Sequence, residues 1–363
     1  MPVLRGARQS MSTHAVSRRR FLWGLGAAAG GAAGILTAPT SARGAVTPYK
    51  LEVNKIDVYG TRDPQLMAMP SLAEVSGYFK DEGLTVERHF VASAGELPNM
   101  LASGNISIGC GGVTTLLILG GQGVPVYGVL QQADISGTQA LVLGRRLANI
   151  TDPKALNGVK VGQTQGNSPI EVWTGLATEL GVDRSSVKVF NLKPPELVVA
   201  LDKGDIDVMA SFQPYIYQAT QAGAKLIATG NRSYWPGREG PRNWVRSNSM
   251  VIVTKAMLDK NPNTLAAYAR AVTRAVADAN ADTPKAAQKL APELKIEPEV
   301  LLPLMKFNAY STAFDETVDA SFKFTNAWLV REGRIPKPVP ARDVLSTSIV
   351  EKVDPALVKW RPA

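Results

Sequence analysis

The chain has 363 residues, of which 45% are hydrophobic and 20% charged, so it can bury the core of one large or two medium globular domains. Its formal net charge is +9, but the first 44 residues hold six Arg and no acidic residue. The remainder carries 34 basic and 31 acidic side chains. A net charge of +3 does not indicate nucleic-acid binding, and we expect no such partner.

Cysteine and histidine are scarce. Cys110 is the one Cys, and His89 is the one His after residue 44. No intrachain disulfide can form, and zinc sites, iron–sulfur clusters and Ser-His-Asp triads need more of these residues. Both residues fall in or beside apolar strand patterns, so we interpret them as structural. We expect no metal, no cofactor, no catalytic residue and hence no enzyme.

The first 44 residues are typical of an export signal. An Arg-rich start precedes an apolar, Gly/Ala-rich run at 21–38 and the small residues around Arg43. This run is short for a membrane span, although a single membrane anchor is the alternative. Residues 17–22 (SRRRFL) resemble the twin-arginine motif. We therefore predict export by the twin-arginine machinery, cleavage near Gly44 and a periplasmic location.

Hydrophobic periodicity predicts alternating strands and helices from residue 51 onward. The predicted elements are a strand at 51–58, a helix at 66–79, a strand at 84–91, a helix at 97–101, a strand at 106–108, a helix at 113–119 and a strand at 124–130. This order is typical of a parallel sheet with covering helices.

The pattern restarts after a strand at 139–143, which we expect to cross between two lobes. It continues with strands at 159–162, 187–190, 206–210 and 225–228 and helices at 168–180 and 194–203. Ser168, Pro169 and Glu171 predict a capping box, with Ser168 as the N-cap. A strand at 250–253 is expected to return to the first lobe. Helices are predicted at 263–280, 284–291 and 314–331.

The two halves of this pattern share an internal echo. Five residues recur 100 positions later, namely Glu96, Leu97, Leu101, Gly104 and Ile106 as Glu196, Leu197, Leu201, Gly204 and Ile206. The spacing is too long for a solenoid repeat. Two similar α/β lobes account for it better than coincidence does, and open sheets bind ligands at the carboxyl ends of their strands.

Four motifs resemble those of the periplasmic substrate-binding proteins of nitrate, sulfonate and taurine ABC importers. They are residues 77–84 (GYFKDEGL), 101–109 (LASGNISIG), 152–162 (DPKALNGVKVG) and 200–208 (ALDKGDIDV) followed by Pro214. Each motif is weak alone, but their order and spacing are more specific. Three positions depart from the family pattern, at Ser107, Val113 and Phe212-Gln213.

This resemblance implies an α/β, type II periplasmic-binding-protein fold, in which two lobes joined by a hinge close on a ligand in a central cleft. The expected divisions are the signal at 1–44, the first part of lobe I at 48–137, lobe II at 138–249, and the return of lobe I with the C-terminal helices at 250–363. The implied function is transport, with a small organic anion (a sulfonate, a taurine-like compound or an aromatic acid) delivered to a permease in the inner membrane.

By the same resemblance, ligand contacts are expected at loops that follow strands. The first loop, at 61–65, also supplies candidates. The candidate ligand-binding residues are Arg62, Gln65, Gly111, Gly112, Val113, Gly166, Asn167, Ser168, Phe212, Gln213 and Trp235. Helix N-termini after Gly112 and at Ser168 would favour an anion. Gln213 is a poor N-cap, which favours a role in binding.

One further segment leaves two interpretations open. Residues 230–249 are predicted to be a long loop with two Trp, one Tyr and four Arg. An Arg there could clamp an acidic ligand, or the loop could be a solvated surface with one buried Trp. An alternative function is an enzyme on the same fold, related to pyrimidine synthesis and acting on a small heterocycle. The effector part of a transcription regulator is disfavoured because the export signal stands where a DNA-binding helix would be.

Overall fold

The computed structural model describes residues 50–165 and 167–363, all within one compact unit. The predicted export signal and Gly166 therefore lie outside the described residues. The strands are β1 (Lys55–Thr61), β2 (Thr85–Val91), β3 (Ile108–Gly112), β4 (Val126–Asp134), β5 (Gln139–Leu143), β6 (Lys160–Gln163), β7 (Lys188–Asn191), β8 (Val208–Phe212), β9 (Lys225–Thr229), β10 (Arg232–Ser233), β11 (Gly240–Pro241), β12 (Asn248–Thr254) and β13 (Ala309–Tyr310).

Helices α1–α7 alternate with the strands, and α8–α14 follow β12 in the C-terminal part of the chain. They are α1 (Ala68–Val75), α2 (Tyr78–Asp81), α3 (Leu97–Ala102), α4 (Val113–Gly121), α5 (Pro169–Leu180), α6 (Pro194–Lys203), α7 (Tyr215–Gln221), α8 (Lys255–Lys260), α9 (Pro262–Ala281), α10 (Thr283–Leu294), α11 (Pro298–Met305), α12 (Glu316–Arg331), α13 (Ala341–Val344) and α14 (Ser348–Val353). Among the described residues, no helix combines the length and hydrophobicity of a membrane span.

The strands form two sheets with the same internal order. The first sheet runs β2-β1-β3-β12-β4-β13 and the second runs β7-β6-β8-β5-β9-β10-β11. In each sheet the fourth strand, β12 or β5, is antiparallel to both neighbours. The strands of the predicted β-α-β order pair in parallel, and the antiparallel strand in each sheet is the one that enters from the other sheet. Each antiparallel strand follows directly on a strand of the other sheet, so the chain crosses between the sheets after β4 and again after β11.

The internal echo corresponds to equivalent places in the two sheets. β3 and β8 lie 100 residues apart and are the third strand of their sheets. The repeated apolar side chains are buried on both sides, namely Leu97, Leu101 and Ile106 with Leu197, Leu201 and Ile206. Gly104 and Gly204 both have a left-handed backbone, with φ of 74° and 81°, which ends the helix and aims the chain into the strand.

Several local predictions need correction. The helix predicted at 66–79 is two helices, because Gly77 has φ 75° and separates α1 from α2. The predicted loop at 230–249 contains the short strands β10 and β11, which extend the second sheet. The stripe predicted for α9 is present, since Leu265, Ala269, Val272 and Val276 are buried in the core of the first sheet.

Candidate functional site

A cavity of about 50 Å³ opens at the carboxyl ends of strands from both sheets. It is lined by Thr61, Asp63, Gln65, Leu66, Ala94, Gly112, Thr114, Thr115, Ile135, Gln139, Asn167, Ser168, Phe212 and Ser247. A concave site that combines apolar surface with a few polar groups is typical of small-molecule binding. Carboxyl ends of strands are also where open α/β sheets bind ligands.

The loop after β1 forms one wall. The carboxylate of Asp63 accepts hydrogen bonds at 2.8 Å from the backbone N–H groups of both Gln65 and Leu66, and the Thr61 hydroxyl also donates to it. Tyr310 on β13 donates from its hydroxyl to the carbonyl of Pro64 at 2.7 Å. These bonds hold the loop in one conformation and fix the Asp63 carboxylate at the cavity.

The first turn of α4 forms a second wall. Gly112 precedes this helix, and no side chain caps the helix start. The first backbone N–H groups of a helix have no partner within the helix, so they are available to a ligand. Thr114 and Thr115 stand on this first turn and add hydroxyl groups to the cavity lining.

The start of α5 faces the same cavity from the second sheet. The Nδ2 of Asn167 is buried and has no hydrogen-bond partner among the described residues. A buried donor without a partner costs about 1–3 kcal/mol, so a ligand acceptor placed there would recover that energy. Asn167 is therefore a lining residue whose side-chain amide lacks a hydrogen-bond acceptor that a ligand could supply.

The predicted capping box at this helix start is wrong. Ser168 makes no side-chain cap and instead donates to Oε1 of Gln139 at 3.2 Å. Both carboxylate oxygens of Glu171 are buried without a partner in the described chain. Burial raises the pKa of the Glu171 carboxyl well above its ordinary value.

A buried polar network joins the two sheets beneath the cavity. Gln65 donates from Nε2 to the carbonyl of Gln213 at 2.8 Å. The Oε1 of Gln65 accepts from the Thr138 hydroxyl at 2.6 Å and from Nε2 of Gln139 at 3.1 Å. Thr138 and Gln139 lie where the chain crosses from β4 into β5. The network thus connects both sheets with the crossing segment itself.

The charge of the cavity is unusual for an anion site. None of the described residues that line it is Lys, Arg or His, and Asp63 is the one acidic residue among them. Burial raises the pKa of Asp63 to about 6, against the hydrogen bonds from Thr61, Leu66 and Gln65, which act to lower it. Asp63 is therefore largely ionised at neutral pH.

The structure brings five of the predicted site residues to the cavity. They are Gln65, Gly112, Asn167, Ser168 and Phe212. Gly111 and Val113 flank Gly112, but neither is part of the cavity lining, and both are buried. Gln213 contributes its carbonyl to the network, and its Oε1 accepts from the backbone N–H of Tyr217 at 3.0 Å. Pro214, not Gln213, is the N-cap of α7.

Two predicted residues lie elsewhere. The guanidinium of Arg62 stacks 3.8 Å from the centre of the Phe90 ring and donates to the carbonyl of Glu293, so its side chain turns away from the cavity. Trp235 is 1% exposed and packs in the core of the second sheet. The first-loop position of Arg62 and the aromatic character of Trp235 gave no indication of these partners.

The Arg-rich segment at 230–249 packs on α5. Arg242 forms two hydrogen bonds of 2.7 Å with the carboxylate of Glu179. Trp244 packs against Gly175 on the same helix. The cavity lining includes no Arg from this segment. These contacts agree with the second interpretation of the segment, a surface loop with one buried Trp, which is Trp235.

Several lining residues were not singled out individually. Asp63 lies in the candidate loop at 61–65, from which only Arg62 and Gln65 were named. Thr114 and Thr115 directly follow the candidate Val113. Gln139 and Ser247 lie at the two crossings between the sheets, and that position was the signal that could have identified them.

Two other reactive side chains, Cys110 and His89, are not part of the cavity lining. Cys110 is buried with Sγ 3.9 Å from the Tyr268 hydroxyl, and burial raises the pKa of its thiol to about 12. His89 stacks on Tyr59 and lies 2.7 Å from the carboxylate of Asp57. Asp57, Glu87 and His89 could together hold a metal ion, but Glu87 already pairs with Lys55 at 2.6 Å.

Comparisons with known proteins agree with this architecture. The chain is 26% identical over 272 residues, 71% of this chain and 81% of its relative, to the taurine-binding periplasmic protein of Escherichia coli K12. The periplasmic aliphatic sulphonate binding protein SsuA of Escherichia coli superimposes with a TM-score of 0.62 at 14% identity, covering 86% of this chain and 93% of that one.

The periplasmic nitrate-binding protein NrtA of Synechocystis PCC 6803 superimposes with a TM-score of 0.69 at 16% identity, covering 85% of this chain and 90% of that one. At such identities the two structures show the fold alone. The predicted periplasmic-binding-protein fold and the predicted resemblance are thereby confirmed. The model of the NMT1/THI5-like family matches residues 68–287, more than half of the sequence, and the chain belongs to that family.

Proposed function

We propose that this protein is the extracytoplasmic solute-binding component of an ABC importer. It binds a small organic anion in the cavity between the two sheets and delivers it to a permease in the inner membrane. The observation that carries the proposal is the unpartnered Nδ2 of Asn167 at a cavity that two helix starts also face. The taurine-binding relative supports the same class of ligand.

The proposed contacts are the predicted residues that line the cavity. Backbone N–H groups after Gly112 and at Ser168 favour negative charge. Asn167 donates to the ligand, and Phe212 supplies an apolar surface. Gln65 holds the cavity floor through its network. Lobe I at 48–137 and 250–363 and lobe II at 138–249 are the bodies that we propose to move about the crossings.

Export accounts for the first 44 residues in this proposal. The Arg-rich start and the apolar run direct the chain through the twin-arginine machinery, and cleavage near Gly44 releases it into the periplasm. The names of the relatives place those proteins in the periplasm as well.

The alternative enzyme receives little support from the cavity. Its described lining offers amides, hydroxyls and one carboxylate, while the thiol of Cys110 is buried elsewhere with a raised pKa. An activated nucleophile needs an adjacent base or a lowered pKa. We therefore favour binding without catalysis.

Thermal-shift measurements on the chain from residue 45 test this proposal. The panel comprises taurine, alkanesulfonates, nitrate, aromatic carboxylates and sulfonates, and pyrimidines. A ligand at 100 times its Kd stabilises the fold by about 2.7 kcal/mol. We expect at least one organic anion to raise Tm, and we expect Asn167→Ala to weaken its binding about 10-fold.

Asn99→Ala is the matched control, because Asn99 is exposed on α3 away from the cavity. It should leave the affinity unchanged. A panel without any stabilising anion contradicts the proposal, and so does an Asn167→Ala variant with full affinity. Stabilisation by pyrimidines alone would favour the enzyme.

A further inference from the structure

Asp63 is a buried charge without a countercharge. Its side chain is part of the cavity lining and the residue is 2% exposed. Among the described residues, no Lys, Arg or His forms an ion pair with it. Buried carboxylates are normally paired or bound to a cation, so this one needs an explanation.

Hydrogen bonds within the loop account for only part of its capacity. Asp63 accepts from two backbone N–H groups and from the Thr61 hydroxyl. An ionised carboxylate offers about four acceptor positions. At least one therefore remains for a donor, and Asp63 lies at the cavity, where a ligand could supply it.

Other groups in the cavity lining have the opposite character. Asn167 offers an unpartnered N–H₂ group, and the first turn of α4 offers backbone N–H groups with the hydroxyls of Thr114 and Thr115. These groups favour an anionic or acceptor group on the ligand. The cavity lining thus combines hydrogen-bond donors from both sheets with one carboxylate.

A purely anionic ligand can pair with the hydrogen-bond donors of the cavity but not with the Asp63 carboxylate. It would bring a second negative charge into a small cavity with Asp63, and the described lining offers no cationic side chain to offset the repulsion. A ligand with a positive group next to Asp63 removes that repulsion and supplies the missing countercharge.

We infer that Asp63 determines specificity by selecting solutes that carry an ammonium group as well as an acid group. The ammonium faces Asp63, while the acid group faces Asn167 and the start of α4. This inference rests on the proposed function and narrows its ligand class from organic anions to amino acids in the broad sense, including amino-sulfonates.

Isothermal titration with matched pairs tests the inference. The pairs are taurine with ethanesulfonate, β-alanine with propionate, and 4-(aminomethyl)benzoate with 4-methylbenzoate. Each pair differs by its amine. We expect the amine-bearing member of at least one pair to bind at least about 10-fold more tightly, as one hydrogen-bonded charge pair in a buried site provides.

Asp63→Asn keeps the shape and an acceptor for the backbone N–H groups but removes the charge. In this variant the preference should fall below about 3-fold, with tighter binding of the amine-free anion. Asp205→Asn, at an exposed position between α6 and β8 and outside the cavity lining, should retain the wild-type preference. If Asp63→Asn does not fold, the affinity ratio of each pair is measured for the wild-type protein at about pH 5 and about pH 8. The preference for the amine-bearing member should be smaller at the lower pH, because Asp63 is then more protonated.

Asp63 is the group that titrates in this interval. The titratable groups that face it are Tyr310 on β13, Tyr215 on α7 and Cys110 on β3, and each has a raised pKa. Equal or tighter binding of the amine-free members by the wild-type protein overturns the inference while the proposed function stands. A protein that binds neither member of any pair but is stabilised by another anion of the panel also overturns the inference while the proposed function stands, and a protein that binds no anion contradicts both.

Discussion

Gln65 and Gln213 lie 148 residues apart in the chain, yet Nε2 of Gln65 donates to the carbonyl of Gln213 at 2.8 Å. One residue follows β1 of the first sheet and the other follows β8 of the second. Both are buried, at 5% and 4% exposure. The bond therefore ties the two sheets together directly beneath the proposed ligand site.

Gln65→Met should destabilise the protein. Methionine has a similar size, but it removes the donor to the Gln213 carbonyl, whereas Thr138 and Gln139 keep other hydrogen-bond partners. An unsatisfied buried group costs about 1–3 kcal/mol, so we expect the free energy of unfolding to fall by about 1–3 kcal/mol in urea titrations. Gln221→Met, at an exposed position at the end of α7, should change it by less than about 0.5 kcal/mol. Equal effects of the two substitutions would contradict the network.

The Asp63 carboxyl should make stability depend on pH. Its pKa in the folded state is about 6, above the ordinary value of 3.8. The folded state therefore holds this proton more tightly, so stability is full below about pH 4 and is lost as the pH rises through 6. The loss amounts to about 3 kcal/mol. Asp63→Asn has no proton to lose.

Unfolding of the wild-type protein and Asp63→Asn at a series of pH values measures this effect. The difference in unfolding free energy should shift in favour of the variant by about 3 kcal/mol between about pH 4 and about pH 7. Effects of other groups cancel in the difference. A difference that does not vary with pH would show that Asp63 titrates normally.

Two carboxylates on α5 should respond in opposite ways to neutralisation. Glu171 is buried without partners and has a raised pKa, so its stability contribution is lost as the pH rises. Glu171→Gln should therefore raise Tm at neutral pH. Glu179 pairs with Arg242, whose hydrogen bond lowers its pKa, so Glu179→Gln should lower Tm slightly. The same sign for both variants in differential scanning calorimetry would contradict this account.

Gly175→Ala tests how the Arg-rich segment packs on α5. Replacing Gly by Ala in a helix usually stabilises by about 1 kcal/mol. Here the new Cβ would lie 2.9 Å from the Cβ of Trp244 and closer still to its ring. We expect a net destabilisation of about 1–2 kcal/mol, as overpacking produces.

The same substitution in a Trp244→Ala background provides the control for Gly175→Ala. Without the indole, Gly175→Ala should become neutral or stabilising, which a double-mutant cycle measures. If the destabilisation persists in that background, Trp244 does not contact Gly175.

The sequence was informative where local patterns determine structure. The echo between 96–106 and 196–206 predicted equivalent units, and the structure places β3 and β8 at the same position in the two sheets. The crossing strand β5 has the predicted bounds, 139–143. Left-handed glycines ended α5 and α6 as expected, because no other residue adopts that conformation so readily.

Side-chain directions were not predictable in the same way. Arg62 lies one residue from Asp63, but tertiary partners on β2 and α10 turn it away from the cavity. Ser168 and Glu171 match a capping pattern, yet Ser168 bonds to Gln139 across the fold. Such choices depend on contacts between residues distant in sequence, which a local pattern does not contain. Within the candidate loop at 61–65, the sequence did not distinguish Asp63 from its neighbours for the same reason.

A crystal structure of the chain from residue 45, grown with the tightest-binding compound of the panel, tests the central claim most directly. The account predicts ligand density in the cavity, with the acid group within hydrogen-bond distance of Nδ2 of Asn167. Density for the ligand at any other place, with only water beside Asn167, would contradict it.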